Sequence, residues 1–372
     1  MKIQLVDTSR PAPVRRFLDL PFRLYASTPQ WVPPLEMDAR LMLDRRKHPF
    51  YRHSDAAFFL AEENGRDVGR LAVLDNQHFN AYNHTRAAFF YLFECEDNVQ
   101  AAAALFAAAE AWAGQRGLEE ILGPKGFTAL DGMGLLVRGF EHPPALGIPY
   151  NLPYYPALVE SAGFLPHGDT VSGHIDRSFQ LPEKIPIAAR AVQERKGLRI
   201  QRFRSRADLR AFVPKLKGLY NDALEGTEGN CPLTDDEAKM MAGQILWFAN
   251  PRLIKLILKG DELAGFLFAY PDISAAVQRT RGRLWPLGWI DLLLELRRTK
   301  WANINGAGIL PRFRGQGATA LLYNELNDSI REGGFEHADI VQIGVDNERM
   351  QNELSSLHVD FYKMHRMYRK KI

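Results

Sequence analysis

The segment from Ala302 to Leu326 constrains this chain most. Ala302–Leu310 can run as a strand, and Thr319–Leu326 has the apolar spacing of an amphipathic helix. Between them stands Pro311-Arg312-Phe313-Arg314-Gly315-Gln316-Gly317-Ala318. A glycine-rich turn that opens a helix points several backbone N–H groups at one spot. The positive end of the helix dipole adds to their field, so the product is an anion site. Gly315 and Gly317 let a ligand come close to the backbone, and Arg312 and Arg314 bring positive charge. The segment lacks the Gly-Lys-Ser/Thr ending of a P-loop and the third glycine of a dinucleotide fingerprint.

At 372 residues two domains are the natural expectation. A net charge of +3 makes no demand for nucleic acid or an anionic membrane. Basic residues gather at Arg279–Arg283, Arg297–Lys300 and Arg366–Lys371 and read as solvated surface. Cys95 and Cys231 lie far apart, which argues against a disulfide framework and a cysteine-rich metal site. His48 and His53 flank Pro49-Phe50 without carboxylate or cysteine company, so no metal is expected. Trp31, Phe50 and Tyr51 read as pins that hold an N-terminal arm to the core. Met1–Asp7 has no long apolar core, and no window reaches the ~20 apolar residues of a membrane span. The most apolar stretch of the second half, Leu284–Leu296, is interrupted by Pro286, Asp291 and Glu295. A cytoplasmic location follows as the expectation, with no nucleic acid and no membrane as partner.

Residues 1–180 read as one unit. Val14–Tyr25 is helical, and the prolines of Pro29–Leu35 exclude helix there. Ala56–Ala61 and Val68–Val73 flank Asn64-Gly65, a strong hairpin signal. Ala87–Phe93 and Leu118–Leu122 are strands around an alanine-rich helix over Asn98–Gln115, and Asn151–Ala162 is a short helix. Residues 181–198 read as a connector. The second unit, 199–372, repeats the order. It has a strand at Arg199–Arg204, helices at Ala207–Ala223 and Thr234–Trp247, and a hairpin around Gly260-Asp261. The strand, loop and helix described above follow, then a strand at Ala338–Val345, a helix at Asn347–Leu357 and a strand at Phe361–Tyr368. The duplication rests on pattern, not on identity between the halves.

The Arg-x-x-Gly-x-Gly-Ala pattern between strand and helix resembles the pyrophosphate loop of the GNAT acyltransferases, which bind acetyl-coenzyme A. The whole chain resembles a bacterial group of two-domain GNAT-like proteins of unassigned substrate. Pro29–Leu35, the hairpin to Val68-Gly69-Arg70, Gly123-Pro124, Gly134–Phe140 and Pro149–Tyr155 carry that likeness. The resemblance implies an α/β (α+β) fold of two tandem GNAT-like domains. Each would be a mixed, mostly antiparallel twisted sheet flanked by helices. Phe361–Tyr368 looks like the closing strand of the second. The implied activity is N-acyl transfer, N-acetyl transfer first among the possibilities, from acetyl- or another acyl-coenzyme A to a small-molecule or peptide amine. Three alternatives are a coenzyme A sensor without turnover, a transferase using another donor, such as aminoacyl-tRNA, and a structural or interaction protein that kept the fold only and binds no coenzyme A.

In the first half the matching loop reads Phe93-Glu94-Cys95-Glu96-Asp97-Asn98-Val99. Its three carboxylates repel a pyrophosphate and no glycine admits one, so the first domain is expected not to bind coenzyme A. It would instead shape an acceptor pocket between the domains. Asp131, Tyr150, Tyr154 and Tyr155 are the candidates for that wall, with Gly132, Gly134 and Gly139. The cofactor set is Ile309, Leu310, Arg312, Phe313, Arg314, Gly315, Gln316, Gly317, Ala318 and Asn347.

An alkylammonium of pKa about 10.4 costs about 4.6 kcal/mol to neutralise at pH 7 without help, so a base or a water chain to one is needed. The resemblance implies an oxyanion donor in the backbone of the Ile309–Leu310 region. It also implies a tyrosine seven residues past Asn347, where Leu354 stands instead. Tyr362 and His358 are nearby substitutes. Asn303 and Asn305 occupy the strand where a carboxylate base is often found, and Asn305 joins the catalytic candidates.

Overall fold

The computed structural model describes residues 1–227 and 229–372. The first half runs β1 (Lys2–Leu5), α1 (Pro11–Leu24), α2 (Glu36–Leu43), β2 (Asp55–Glu63), β3 (Arg66–Asp75) and α3 (Gln77–Asn83). It continues with β4 (Ala87–Cys95), α4 (Val99–Gly114), β5 (Glu120–Gly123), β6 (Leu135–Arg138), α5 (Tyr155–Ser161) and β7 (Leu165–Asp176). The second half runs α6 (Lys184–Lys196), β8 (Leu198–Gln201), α7 (Arg206–Ala223), α8 (Asp235–Leu246), β9 (Ile254–Lys259), β10 (Glu262–Pro271) and α9 (Ser274–Thr280). It ends with α10 (Gly288–Arg298), β11 (Trp301–Ile309), α11 (Ala318–Glu332), β12 (His337–Gly344), α12 (Glu348–Ser356) and β13 (Asp360–Lys371).

Local chemistry sets most of these elements. Asn64 and Gly65 both take positive φ, which closes the β2–β3 hairpin with the twist its strands need. Ser205 with Asp208, and Thr234 with Glu237, form capping boxes that start α7 and α8. Residues 181–198 do more than connect: α6 buries Ala189 and Val192 in the core of the second half, beside Ala318 and Leu322 of α11.

One mixed sheet runs through the whole molecule in the order β1-β2-β3-β4-β5-β13-β7-β12-β11-β10-β9-β8, with β6 also on β13. The two closing strands are exchanged. β13, last in the chain, lies antiparallel to β5 with Tyr368 opposite Gly123. β7, from the first half, lies antiparallel to β12 with His337 opposite Asp176. Phe361–Tyr368 is therefore a strand, but it closes the sheet of the first unit rather than the second. Each unit takes its last strand from the other half, so the pairing crosses the 181–198 connector in both directions.

The same irregularity recurs in both units and positions the site. β4 and β5 pair in parallel only from Ala87 to Phe89, and β11 and β12 only from Trp301 to Ile304. Beyond those residues each pair diverges. Each leading strand also carries a bulge at the divergence. Leu92 has a φ of 51° where the β3–β4 register shifts, and Asn305 has no opposite number on β10.

Candidate active site

The chain after β11 forms a short 3-10 turn at Pro311–Phe313, and α11 then starts from Gly317. Gly315 has a φ of 74° and Gly317 one of 84°, a region where a side chain would be strained. A Cβ at Gly315 would meet open space, whereas one at Gly317 would strike Val192 of α6. Gly317 supplies no side-chain cap; the Ala320 N–H bonds the Gly317 carbonyl at 3.1 Å, while the Ala318 and Thr319 N–H groups lack the usual acceptor. That is a cradle for an anionic group, and the residues fit a pyrophosphate. The two arginines are already engaged. Arg312 pairs with Glu262, and Arg314 donates to the carbonyls of Ile309 at 3.1 Å and Ala223 at 2.9 Å. Arg314 thus ties the loop to β11 and α7, and Gln316 closes it by donating to the Arg312 carbonyl at 2.8 Å.

The matching place in the first unit is built differently. Asn98 caps α4 by accepting from the Ala101 N–H at 3.0 Å. Glu94, Glu96 and Asp97 stand before it, and Arg23 and Arg66 both pair with Glu96. Glu94 accepts from the hydroxyls of Tyr25 and Tyr155, each at 2.7 Å, and Arg70 lies 3.6 Å away. Burial pushes the Glu94 carboxyl up, and Arg70 opposes the shift.

A cavity of about 460 Å³ joins the two units. Leu35, Leu146, Ile148, Trp247 and Phe248 supply much of its apolar wall, and Arg70, Glu94, Asp131, Tyr150, Tyr270 and Asn305 supply polar groups. Its volume is within the range of small-molecule sites, roughly 300–1,000 Å³. It ends at the bulge of β11, where Asn305 Nδ2 donates to the Tyr270 hydroxyl at 2.6 Å. Deeper in the sheet, Asn303 donates to Asp272 at 3.0 Å, and Asp339 accepts from Tyr362 at 2.7 Å and Lys363 at 3.2 Å. Burial pushes the Asp272 carboxyl up and the Lys363 ammonium down. Asn303 Oδ1 and Asp339 Oδ1 are buried without a partner.

The structure brings some of the sequence candidates together and separates others. Asp131, Tyr150, Gly134 and Asn305 line the same cavity. Asp131 accepts from the Thr128 N–H at 2.7 Å, yet burial pushes its carboxyl up to about 6. Tyr150 donates to the Phe140 carbonyl at 2.8 Å. Tyr154 and Tyr155 do not reach the cavity. Tyr154 donates to the Cys95 carbonyl at 2.8 Å and Tyr155 lies in the first core, where both hold the acidic loop. Gly132 and Gly139 are packed against Pro149 and the Tyr362 carbonyl. Ile309 ends β11, Phe313 and Ala318 are buried beside the loop, and Leu310 donates its N–H to the Ala264 carbonyl at 2.9 Å. The Leu310 amide is therefore spent and is not a free oxyanion donor. Asn347 caps α12 by accepting from the Met350 N–H at 3.2 Å, so its side-chain oxygen serves the helix. His358 is an exposed turn residue with a φ of 56°. Tyr362 joins the Asp339 network and not the cavity wall. Leu354 is buried in an apolar cluster with Val171 and Ile343, where a hydroxyl would lack a partner.

Sequence reasoning missed Tyr270, Arg70 and the cavity-facing side of Trp31. Trp31 does pin the arm as expected, stacking on Tyr25 at 4.7 Å, and it also lines the cavity. Among the described residues no group of three or more His, Cys, Asp or Glu side chains is placed to hold a metal ion.

No protein-family profile matches the chain. In architecture the molecule has the tandem GNAT fold. It superposes on a tandem GNAT protein from the clavulanic acid biosynthesis pathway with a TM-score of 0.58 and 12% identity, over 100% of this chain and 98% of that one. In sequence it is similar to the bacterial ceramide synthase of Caulobacter vibrioides, 28% identical over 99% of this chain and 97% of that protein. It is also similar to protein YghO of Escherichia coli, 27% identical over 96% and 93% of the two chains.

Proposed function

We propose that the chain is an acyl-coenzyme A-dependent N-acyltransferase whose acceptor is a long-chain aliphatic amine. One observation carries this reading: a largely apolar cavity is lined by Asn305, on the same strand whose far end leads into the uncapped Gly315–Ala318 loop. The similarity to a ceramide synthase supports it, since a ceramide is an amide of a fatty acid with a long-chain amino alcohol. The loop would hold the pyrophosphate of the coenzyme, and the bound coenzyme would supply the acyl group as a thioester. The aliphatic part of the acceptor would lie against Leu35, Leu146 and Trp247, leaving its nitrogen toward the polar groups. Asp131 is placed in that wall with a carboxyl near neutrality, which suits a group that accepts a proton from an ammonium. Asn305 and Tyr270 are the paired groups at the inner end, and their hydrogen bond orients both.

The test is release of free coenzyme A thiol from acetyl- and palmitoyl-coenzyme A with a panel of amines of increasing chain length in detergent. Turnover that rises with the length of the amine is expected. Binding of acyl-coenzyme A with no turnover on any amine would remove the enzyme and favour a sensor. The buried Leu354 and the capped Asn347 are the observations that keep that second reading in view.

A further inference from the structure

The helix α10 is apolar on two faces. Its inward residues are Leu292 and Leu296, which pack with Leu35 and Ile273, and the acids Asp291 and Glu295. Arg279 bonds Asp291 at 2.9 Å and also reaches Glu295, and Arg298 lies 3.0 Å from Asp291. Its outward face is Trp289, Ile290, Leu293 and Leu294, all exposed. The preceding turn adds Trp285 at 81% and Leu287 at 67% exposure. A helix folded for water alone places its acids outside and its leucines inside. Here the acids pair with Arg279 of α9 and Arg298 of α10 itself, both about half exposed, and a contiguous apolar ridge faces out. Single exposed apolar residues are ordinary, but a ridge with two tryptophans marks an interaction face.

The surroundings identify the partner. The ridge lies beside the cavity mouth: Leu35, Leu146 and Trp247 belong both to the cavity wall and to the cluster that seats α10. The exposed basic residues of the cavity wall are Arg15, Arg40, Arg281 and Arg283; Arg15 pairs with Asp19, and Arg40 and Arg283 both pair with Glu36, so among the described residues Arg281 is the one of the four with no acidic partner. Exposed Arg297 follows on the outward face of α10. In the first unit the same connection, between β3 and β4, holds only α3. Tryptophan and leucine on one face, flanked by arginine, is the composition of a helix that lies in the headgroup layer of a bilayer.

We propose that α10 and the turn before it dock this protein on an anionic phospholipid bilayer, with the cavity mouth opening at the membrane surface. The inference goes beyond the transferase reading and departs from the sequence expectation of no membrane partner. The segment is the one singled out as Leu284–Leu296, too short and too interrupted to span a bilayer; no helix among the described residues is long and apolar enough to do so. The arginines would meet lipid phosphates, and the tryptophans the boundary of the acyl chains. An apolar substrate would then enter the cavity without crossing water.

The test is co-sedimentation of the full chain with vesicles of phosphatidylglycerol and phosphatidylcholine in equal parts, and with phosphatidylcholine alone. Wild type is expected to bind the anionic vesicles better, less so at high salt. A Trp285→Ser, Trp289→Gln, Leu293→Gln variant is expected to lose roughly tenfold or more in partition. Its side chains are exposed and outside the cavity, so its melting temperature and its titration with palmitoyl-coenzyme A should match wild type. Leu165→Ser, an exposed leucine on β7, should change nothing. Failure of wild type to bind either vesicle, or equal binding by the triple variant, would overturn the proposal. So would a wild-type dimer in analytical ultracentrifugation that the triple variant dissolves without any vesicle binding, since a second copy would then cover the ridge. Loss of coenzyme A binding in wild type with vesicle binding intact would sink the transferase reading and leave this one standing.

Discussion

The two helices that follow the diverging strands, α4 and α11, sit in the same place in their units and end in opposite chemistry. At α4 an asparagine fills the first free donor and carboxylates crowd the approach. At α11 a glycine in the left-handed region leaves the first two donors, on Ala318 and Thr319, free, and Arg314 ties the loop from behind. The fold supplies the helix terminus in both cases, and a handful of side chains decides whether an anion can come. The first unit instead lends the diverging end of β4 to the cavity through Leu92 and Glu94. In the proposed reading one copy would keep the donor site, and the other would build part of the acceptor wall.

The strand exchange implies that the two units stand or fall together. Lys363 and Asp339, both buried at 3.2 Å, link β13 of one sheet half to β12 of the other. Lys363→Met should cost about 3–5 kcal/mol by stranding Asp339. Calorimetry should show a single transition moving down in temperature; two transitions with only one displaced would mean the units are independent. The next effect concerns the wall. If the first unit takes part in chemistry, Asp131→Asn should lower kcat/KM by roughly 100-fold. Asp131 must be ionised to accept a proton, so wild-type kcat/KM should fall as pH drops below about 6, and the variant should lack that limb. An unchanged pH profile would leave Asp131 a structural residue. Tyr270→Phe should cost about tenfold in kcat by freeing Asn305, with melting temperature little changed. The smallest effect is at the silent helix. Asn98→Gly removes the cap of α4 and should cost only a few tenths of a kcal/mol. It should create no second coenzyme site, because Glu94, Glu96 and Asp97 remain.

What was legible in the sequence was what is local. The Asn64-Gly65 hairpin, the alanine-rich α4 and the loop at Gly315 are each encoded within a few residues, by φ preference, propensity and dipole. The contrast between the two loops was legible for the same reason, since charge and glycine content need no partner to interpret. The exchange of β7 and β13 was not, because a strand's alternation says which face is buried and not which neighbour it pairs with. The cavity was half visible. Asp131 and Tyr150 stood out by residue type, but Tyr270 and Trp247 come from elements far apart in the chain. The outward apolar face of α10 was hidden because its composition is ordinary, and only the fold shows which face points out. Asn347 followed from the family resemblance and His358 from its nearness to Leu354, and the structure makes one a helix cap and the other an exposed turn.

The central claim is a single coenzyme site, on the loop of the second unit. Titration calorimetry of acetyl-coenzyme A against wild type and Gly315→Glu tests it most directly. Gly315 is the better position than Gly317, since a side chain there meets no neighbour while one at Gly317 would push on Val192. The expected result is one molecule bound per wild-type chain and a loss of roughly 100-fold or more in the variant, whose added carboxylate stands on the loop that would hold the pyrophosphate. Two molecules per chain, or a variant that binds as well as wild type, would contradict it.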